Sequence, residues 1–127
     1  TASQEGPQRA IAPYVDTCPV DPCAVSGYSF DAVSHPGVDY GATIGQPVYA
    51  VFAGVVSNAG DTWPGGNCVS VTAGEWSSLD CHLSAFAPAD CTTVQACDVI
   101  GYAGSTGLSS GVHVHHEIRH NDISVEI

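Results

Sequence analysis

Three histidines and one aspartate in this 127-residue chain are spaced so that they could do chemistry together. His113-Val114-His115 sets two imidazoles one residue apart. Far upstream, His35-Pro36-Gly37-Val38-Asp39 offers an imidazole and a carboxylate. A catalytic zinc takes three protein ligands of these kinds and keeps a fourth position open for water. Two imidazoles and the carboxylate fill that need and leave one imidazole spare. Taken alone, each pair is a weak signal, because a His-x-His also fits an ordinary surface or core strand. Their joint presence in one small domain points to a hydrolytic metal centre.

Such residues need rigid elements to hold them. Gly, Pro, Ser and Thr interrupt every apolar run before three helical turns can form. The remaining runs are short and rich in Val, Ile and Tyr, which is strand chemistry. They predict strands at 38–40, 47–51, 55–59, 68–72, 77–83, 99–103, 112–118 and 123–125. Short strands between Gly-rich turns predict an all-β fold: a single domain built as a twisted antiparallel sheet or open sandwich with a substrate groove. Residues 1–27 hold four of the eight prolines and read as an irregular arm on a domain at 28–127. Side chains alternate along a strand, so His113, His115 and Glu117 share one face and His116 takes the other. Pro36-Gly37 forbids a helix between His35 and Asp39.

One hairpin can be registered from sequence. Gly74-Glu75 has the Gly-X form of a type II′ turn. Centring the turn there pairs Ala73 with Trp76 and, counting outward, Val69 with Asp80 and Cys68 with Cys81. At a non-hydrogen-bonded pair the Cα atoms lie ~4.5 Å apart, at the short end of disulfide reach. A Cys68–Cys81 bridge is therefore expected, with local rings Cys18–Cys23 and Cys91–Cys97. A clamp at Cys81 would fix where the next residue, His82, points. Six cysteines in so short a chain point to an oxidising compartment, and the Cys-x-x-Cys knuckles of a structural zinc site are missing. The start at Thr1-Ala2-Ser3, without Met or apolar leader, fits a processed, secreted, extracellular protein.

The formal net charge is −11, with Arg9 and Arg119 as the only fixed cations. Such a surface repels nucleic acid and anionic membranes. It also gives no long-range attraction to an anionic cell wall, so high salt or low pH should help the chain approach one.

Longer motifs carry a resemblance. His35-Pro36-Gly37-Val38-Asp39-Tyr40 is followed by Gly45-Gln46-Pro47-Val48-Tyr49-Ala50, then by Gly66-Asn67-Cys68-Val69 and His82-Leu83-Ser84. Gly104-Ser105-Thr106-Gly107 leads into His113-Val114-His115-His116-Glu117. In order and spacing, residues 35–119 resemble the lysostaphin/LytM-type zinc metallopeptidases, which cut peptidoglycan peptides. The cysteines are outside the general pattern and look like the disulfide-bonded β-lytic branch or another strictly extracellular relative. The resemblance implies that His35, Asp39 and His115 hold one Zn²⁺, with His82 and His113 beside it as catalytic residues. It implies a bacteriolytic endopeptidase acting as a monomer on peptidoglycan cross-links or stems. An inactive wall-binding module of the same fold, or an endopeptidase acting on Gly-rich proteins, is the alternative.

Two positions depart from the family pattern. Asp80 stands where the family carries Tyr two residues before its His-Leu, so a hydroxyl that could assist the oxyanion is missing there. His116 stands where the family carries an aromatic; a second-face imidazole satisfied by backbone or solvent is its simplest reading. Glu117 could orient a ligand histidine from behind. Trp63, in a turn-rich segment, either walls the groove or packs on its own sheet.

Overall fold

The computed structural model describes residues 18–23, 25, 37–109 and 111–125. The described residues form nine strands and no helix: β1 Val38–Gly41, β2 Pro47–Tyr49, β3 Gly54–Thr62, β4 Gly66–Ala73, β5 Trp76–Phe86, β6 Thr93–Val94, β7 Val99–Ala103, β8 His113–His120 and β9 Ile123–Val125. They form one sheet in the order β1-β8-β5-β4-β3-β6, with β7 pairing both β5 and β2 and β9 lying against β8. The ladders described are all antiparallel. Each expected run is a strand; β6, two residues long, had no readable pattern.

The hairpin register holds from Ala73↔Trp76 to Val69↔Asp80. The left-handed φ falls on Gly74, at 62°, as the first central position of a II′ turn needs. Beyond Val69 the ladder slips by one residue and resumes at Asn67↔Leu83. The slip coincides with a Cys68–Cys81 disulfide, Cα–Cα 4.1 Å, and with a left-handed φ of 65° at His82. A bulge of this kind re-aims a side chain. On strict alternation His82 would follow Asp80 to the inner face; the bulge brings it instead beside His113, ring centroids 4.6 Å apart.

One face of the sheet carries the core. Val69 and Val71 of β4 and Val114 and Ile118 of β8 are buried with Phe52, Leu83 and Ile100. The arm's described part joins this core through Val20, while Tyr49 N–H donates to Pro19 O and Val25 bridges Tyr40. A Cys18–Cys23 disulfide closes the arm's ring.

The third expected bridge is not formed: Cys91 and Cys97 are exposed free thiols. Each sits in a left-handed conformation, φ 68° and 73°, at one end of the excursion that carries β6. Their backbone N–H groups anchor to different segments, Cys91 to Val56 O and Cys97 to Ala50 O. Backbone hydrogen bonds, rather than a covalent ring, hold this loop.

Candidate active site

β1 and β8 run side by side, with Asp39 opposite His115 and Gly41 opposite His113. On the other flank, Cys81 of β5 faces His115. Three neighbouring strands therefore bring Asp39, His82, His113 and His115 to one face. Gly37 allows this approach: a Cβ there would meet His116 O, the Glu117 side chain and the His115 ring. His35 lies outside the described residues. Among the described residues, no three His, Cys, Asp or Glu side chains are arranged to hold an ion by themselves.

His115 stands between two carboxylates. Its Nδ1 lies 2.9 Å from Asp39 Oδ1 and its Nε2 2.8 Å from Glu117 Oε2. Burial opposes its charge, but hydrogen bonds and charge from Asp39 and Glu117 outweigh that and lift its pKa to about 9. Burial likewise opposes charge on Glu117, yet the His115 hydrogen bond and the Arg119 guanidinium hold its pKa down at about 2. Arg119 Nη2 lies 2.8 Å from Glu117 Oε1, and Ser124 Oγ donates to the same oxygen at 3.1 Å. One of the chain's two fixed cations is thus spent on orienting the carboxylate behind His115.

His82 is held at three points. Its backbone N–H donates to Gly65 O at 2.8 Å, its Nδ1–H donates to Thr106 O at 2.7 Å, and the preceding residue is disulfide-bonded. A carbonyl only accepts, so Nδ1 carries the proton and a neutral ring leaves Nε2 as a lone pair. Burial, first of all, lowers the His82 pKa below its ordinary value, and His113 and His115 add to this. The carbonyl of Thr106 reaches His82 because two glycine turns interlock. A Cβ on Gly107 (φ 72°) would collide with Pro64 O and the Gly66 amide, and one on Gly66 (φ 73°) with Thr106. His113 donates through Nδ1 to Gly111 O at 3.2 Å, and Ser109 Oγ lies 3.1 Å from that nitrogen. Its Nε2 lies 3.7 Å from Asp39 Oδ2.

The opposite face of β8 holds a second histidine–carboxylate pair. His116 Nδ1–H donates to Asp80 Oδ1 at 2.6 Å, and the side chains are 2% and 1% exposed. Asp80 Oδ2 has no partner, nor has Ser78 Oγ on the same face of β5. Each such buried orphan costs about 1–3 kcal/mol. The departures from the family pattern at Asp80 and His116 thus meet in one contact. Alternation placed His116 on this face; nothing in the sequence named Asp80 as its partner. Backbone atoms were also missed: Thr106 O and Gly111 O fix ring tautomers through the main chain, which side-chain patterning does not report. Trp63 is 73% exposed in the β3–β4 turn.

An open antiparallel sheet thus brings imidazoles and carboxylates together on one face. The comparisons give the family. The chain belongs to Peptidase family M23, whose profile matches residues 33–127. It is 43% identical over 88 residues to the DD-carboxypeptidase/endopeptidase Mpg of Neisseria meningitidis serogroup B, covering 68% of this chain and 20% of that protein. It is 35% identical over 94 residues to the glycyl-glycine endopeptidase ALE-1 of Staphylococcus capitis, covering 72% of this chain and 26% of that protein. Its fold is similar to a zinc containing peptidase from Vibrio cholerae, with a TM-score of 0.79 and 25% identity over 93% of this chain and 39% of the other. The chain thus spans about a fifth to a quarter of the curated relatives it matches.

Proposed function

We propose that this chain is a secreted zinc endopeptidase that hydrolyses peptide bonds in peptidoglycan cross-links or stems. The observation that carries the reading is the convergence of Asp39, His82, His113 and His115 on one open face of the sheet. The peptidoglycan substrate is supported by relatives whose names describe a glycyl-glycine endopeptidase and a DD-carboxypeptidase/endopeptidase. Zinc is supported by the Vibrio cholerae neighbour's description. Export is supported by the two disulfides, which persist in oxidising compartments.

The donor set fits zinc. Asp39 and His115 would hold the ion through one carboxylate and one imidazole, and the family resemblance gives His35, outside the described residues, as the third ligand. Glu117 keeps the Nε2–H of His115, leaving Nδ1 toward Asp39; a carboxylate behind a ligand imidazole is the usual outer partner in zinc sites. When bound, the ion polarises a carbonyl and lowers the pKa of water.

The chain's own residues supply the proton handling. His82, kept neutral by burial and fixed through Nδ1–H, accepts a proton from the attacking water at Nε2 and returns it to the leaving amine. His113, anchored through Nδ1–H to Gly111 O, presents the lone pair of Nε2 to the same face, where it accepts a hydrogen bond from the attacking water and orients it. The interlocked turns at Gly66 and Gly107 keep His82 in place through the reaction.

Digestion of purified peptidoglycan followed by mass spectrometry tests this, beside casein and pentaglycine. New amino termini within cross-links or stems are expected, and they should vanish on chelation. Binding to walls without cleavage would contradict the reading, as would cleavage of casein alone.

A further inference from the structure

The Asp80–His116 pair takes no part in the chemistry above, yet it lies directly behind it. Asp80↔His116 and Cys81↔His115 are the last two rungs of the β5–β8 ladder. Past them, β5 turns to β7, pairing Leu83 with Ala103, and His82 leaves in its left-handed conformation. The 2.6 Å contact is therefore a buried side-chain hydrogen bond, at the end of the ladder, between the strand that carries His115 and the strand that carries His82. It is made on the core face, with the Tyr40 ring 6.1 Å from the His116 ring.

The surroundings argue against a role in stability. Asp80 Oδ2 and Ser78 Oγ are buried without partners, so an apolar pair of similar volume would serve folding as well or better. A hydrogen bond gives what apolar contact does not: a fixed pairing of two atoms, hence of two strand positions. Slipping β8 by one residue would exchange the faces of His115 and His116.

We propose that Asp80 and His116 are positioning residues: their buried hydrogen bond locks the β5–β8 register at its last rungs and so sets His115 relative to His82. The proposal rests on the metallopeptidase reading.

The test compares full-length wild type with Asp80→Asn, Asp80→Leu and the double variant Asp80→Leu/His116→Leu. Zinc affinity is measured by chelator competition, folding by urea titration, and kcat and KM on peptidoglycan. The double variant should unfold at the same urea concentration as wild type or higher. It should nonetheless bind zinc about tenfold more weakly, the scale of outer-shell changes, and lose about tenfold in kcat with KM little changed. Asp80→Asn keeps an acceptor for His116 and should retain most of both properties. A folded double variant with native zinc affinity and kcat would overturn the proposal. So would equal losses in folded Asp80→Asn and Asp80→Leu. If the leucine variants do not fold, loss of zinc affinity in folded Asp80→Asn still overturns it. A wild-type chain that bound no zinc and cut nothing would instead sink the underlying reading.

Discussion

The two faces of β8 carry the same pair of chemical groups and put them to different use. On the open face, His115 sits between Asp39 and Glu117, 2.9 and 2.8 Å away, with its side chain 14% exposed. On the inner face, one position on, His116 meets Asp80 and both are sealed from water. Surrounding matter, not residue type, separates them. The open pair has a further partner on each side: Arg119 and Ser124 hold Glu117, and His113 approaches Asp39. The sealed pair has an oxygen to spare and nothing to give it to. Under the proposed function, a histidine–carboxylate contact serves a reactive centre where further donors and an open approach accompany it.

The sharpest way to break this comparison is to remove the carboxylate of the open face. Asp39→Ala should abolish both zinc binding and turnover, as elemental analysis beside a peptidoglycan assay would read. His82→Ala should keep zinc and lose about 10²–10⁴-fold in kcat, the range of general acid–base catalysis. Loss of zinc together with turnover would erase the division between ligand and base. Glu117→Gln keeps a hydrogen-bond acceptor but removes the charge; about 10–100-fold weaker zinc binding is expected, by chelator competition. Native affinity would mean that Glu117 only packs.

The smallest effect concerns pH. In metal-free protein the folded pKa of His115, about 9, lies above the ordinary 6.5. Its contribution to stability is complete below about 6.5 and is lost as pH rises toward 9. Glu117 behaves oppositely: its folded pKa of about 2 lies below 4.5, so its contribution is present above about 4.5 and lost as pH falls toward 2. Urea midpoints of metal-free protein should be highest between these limits and should fall on the alkaline side. In Glu117→Gln the alkaline fall should shrink; an unchanged profile would remove Glu117 as its source.

Period-two patterning made the strands and the faces of His113, His115 and Glu117 legible, because these positions obey alternation. The hairpin was legible because Gly74 demands a particular turn. His82 was harder. Its place on the open face depends on a bulge opposite Cys68, where alternation fails, and only the family resemblance grouped it with His113. Cys91 and Cys97 were misread because closeness in sequence does not bring two left-handed corners together when each is pinned to a different segment. Asp80 was seen as a missing tyrosine rather than as a partner, since register across β5 and β8 follows from a long connection and not from a turn.

X-ray absorption at the zinc edge of the purified, zinc-loaded chain tests the central claim most directly. The account predicts about two imidazoles and about two oxygen donors, one from Asp39 and one from water, at ~2.0–2.2 Å. A sulfur shell at ~2.3 Å, pointing to the thiols of Cys91 and Cys97, or a third imidazole closing the position kept for water, would contradict it.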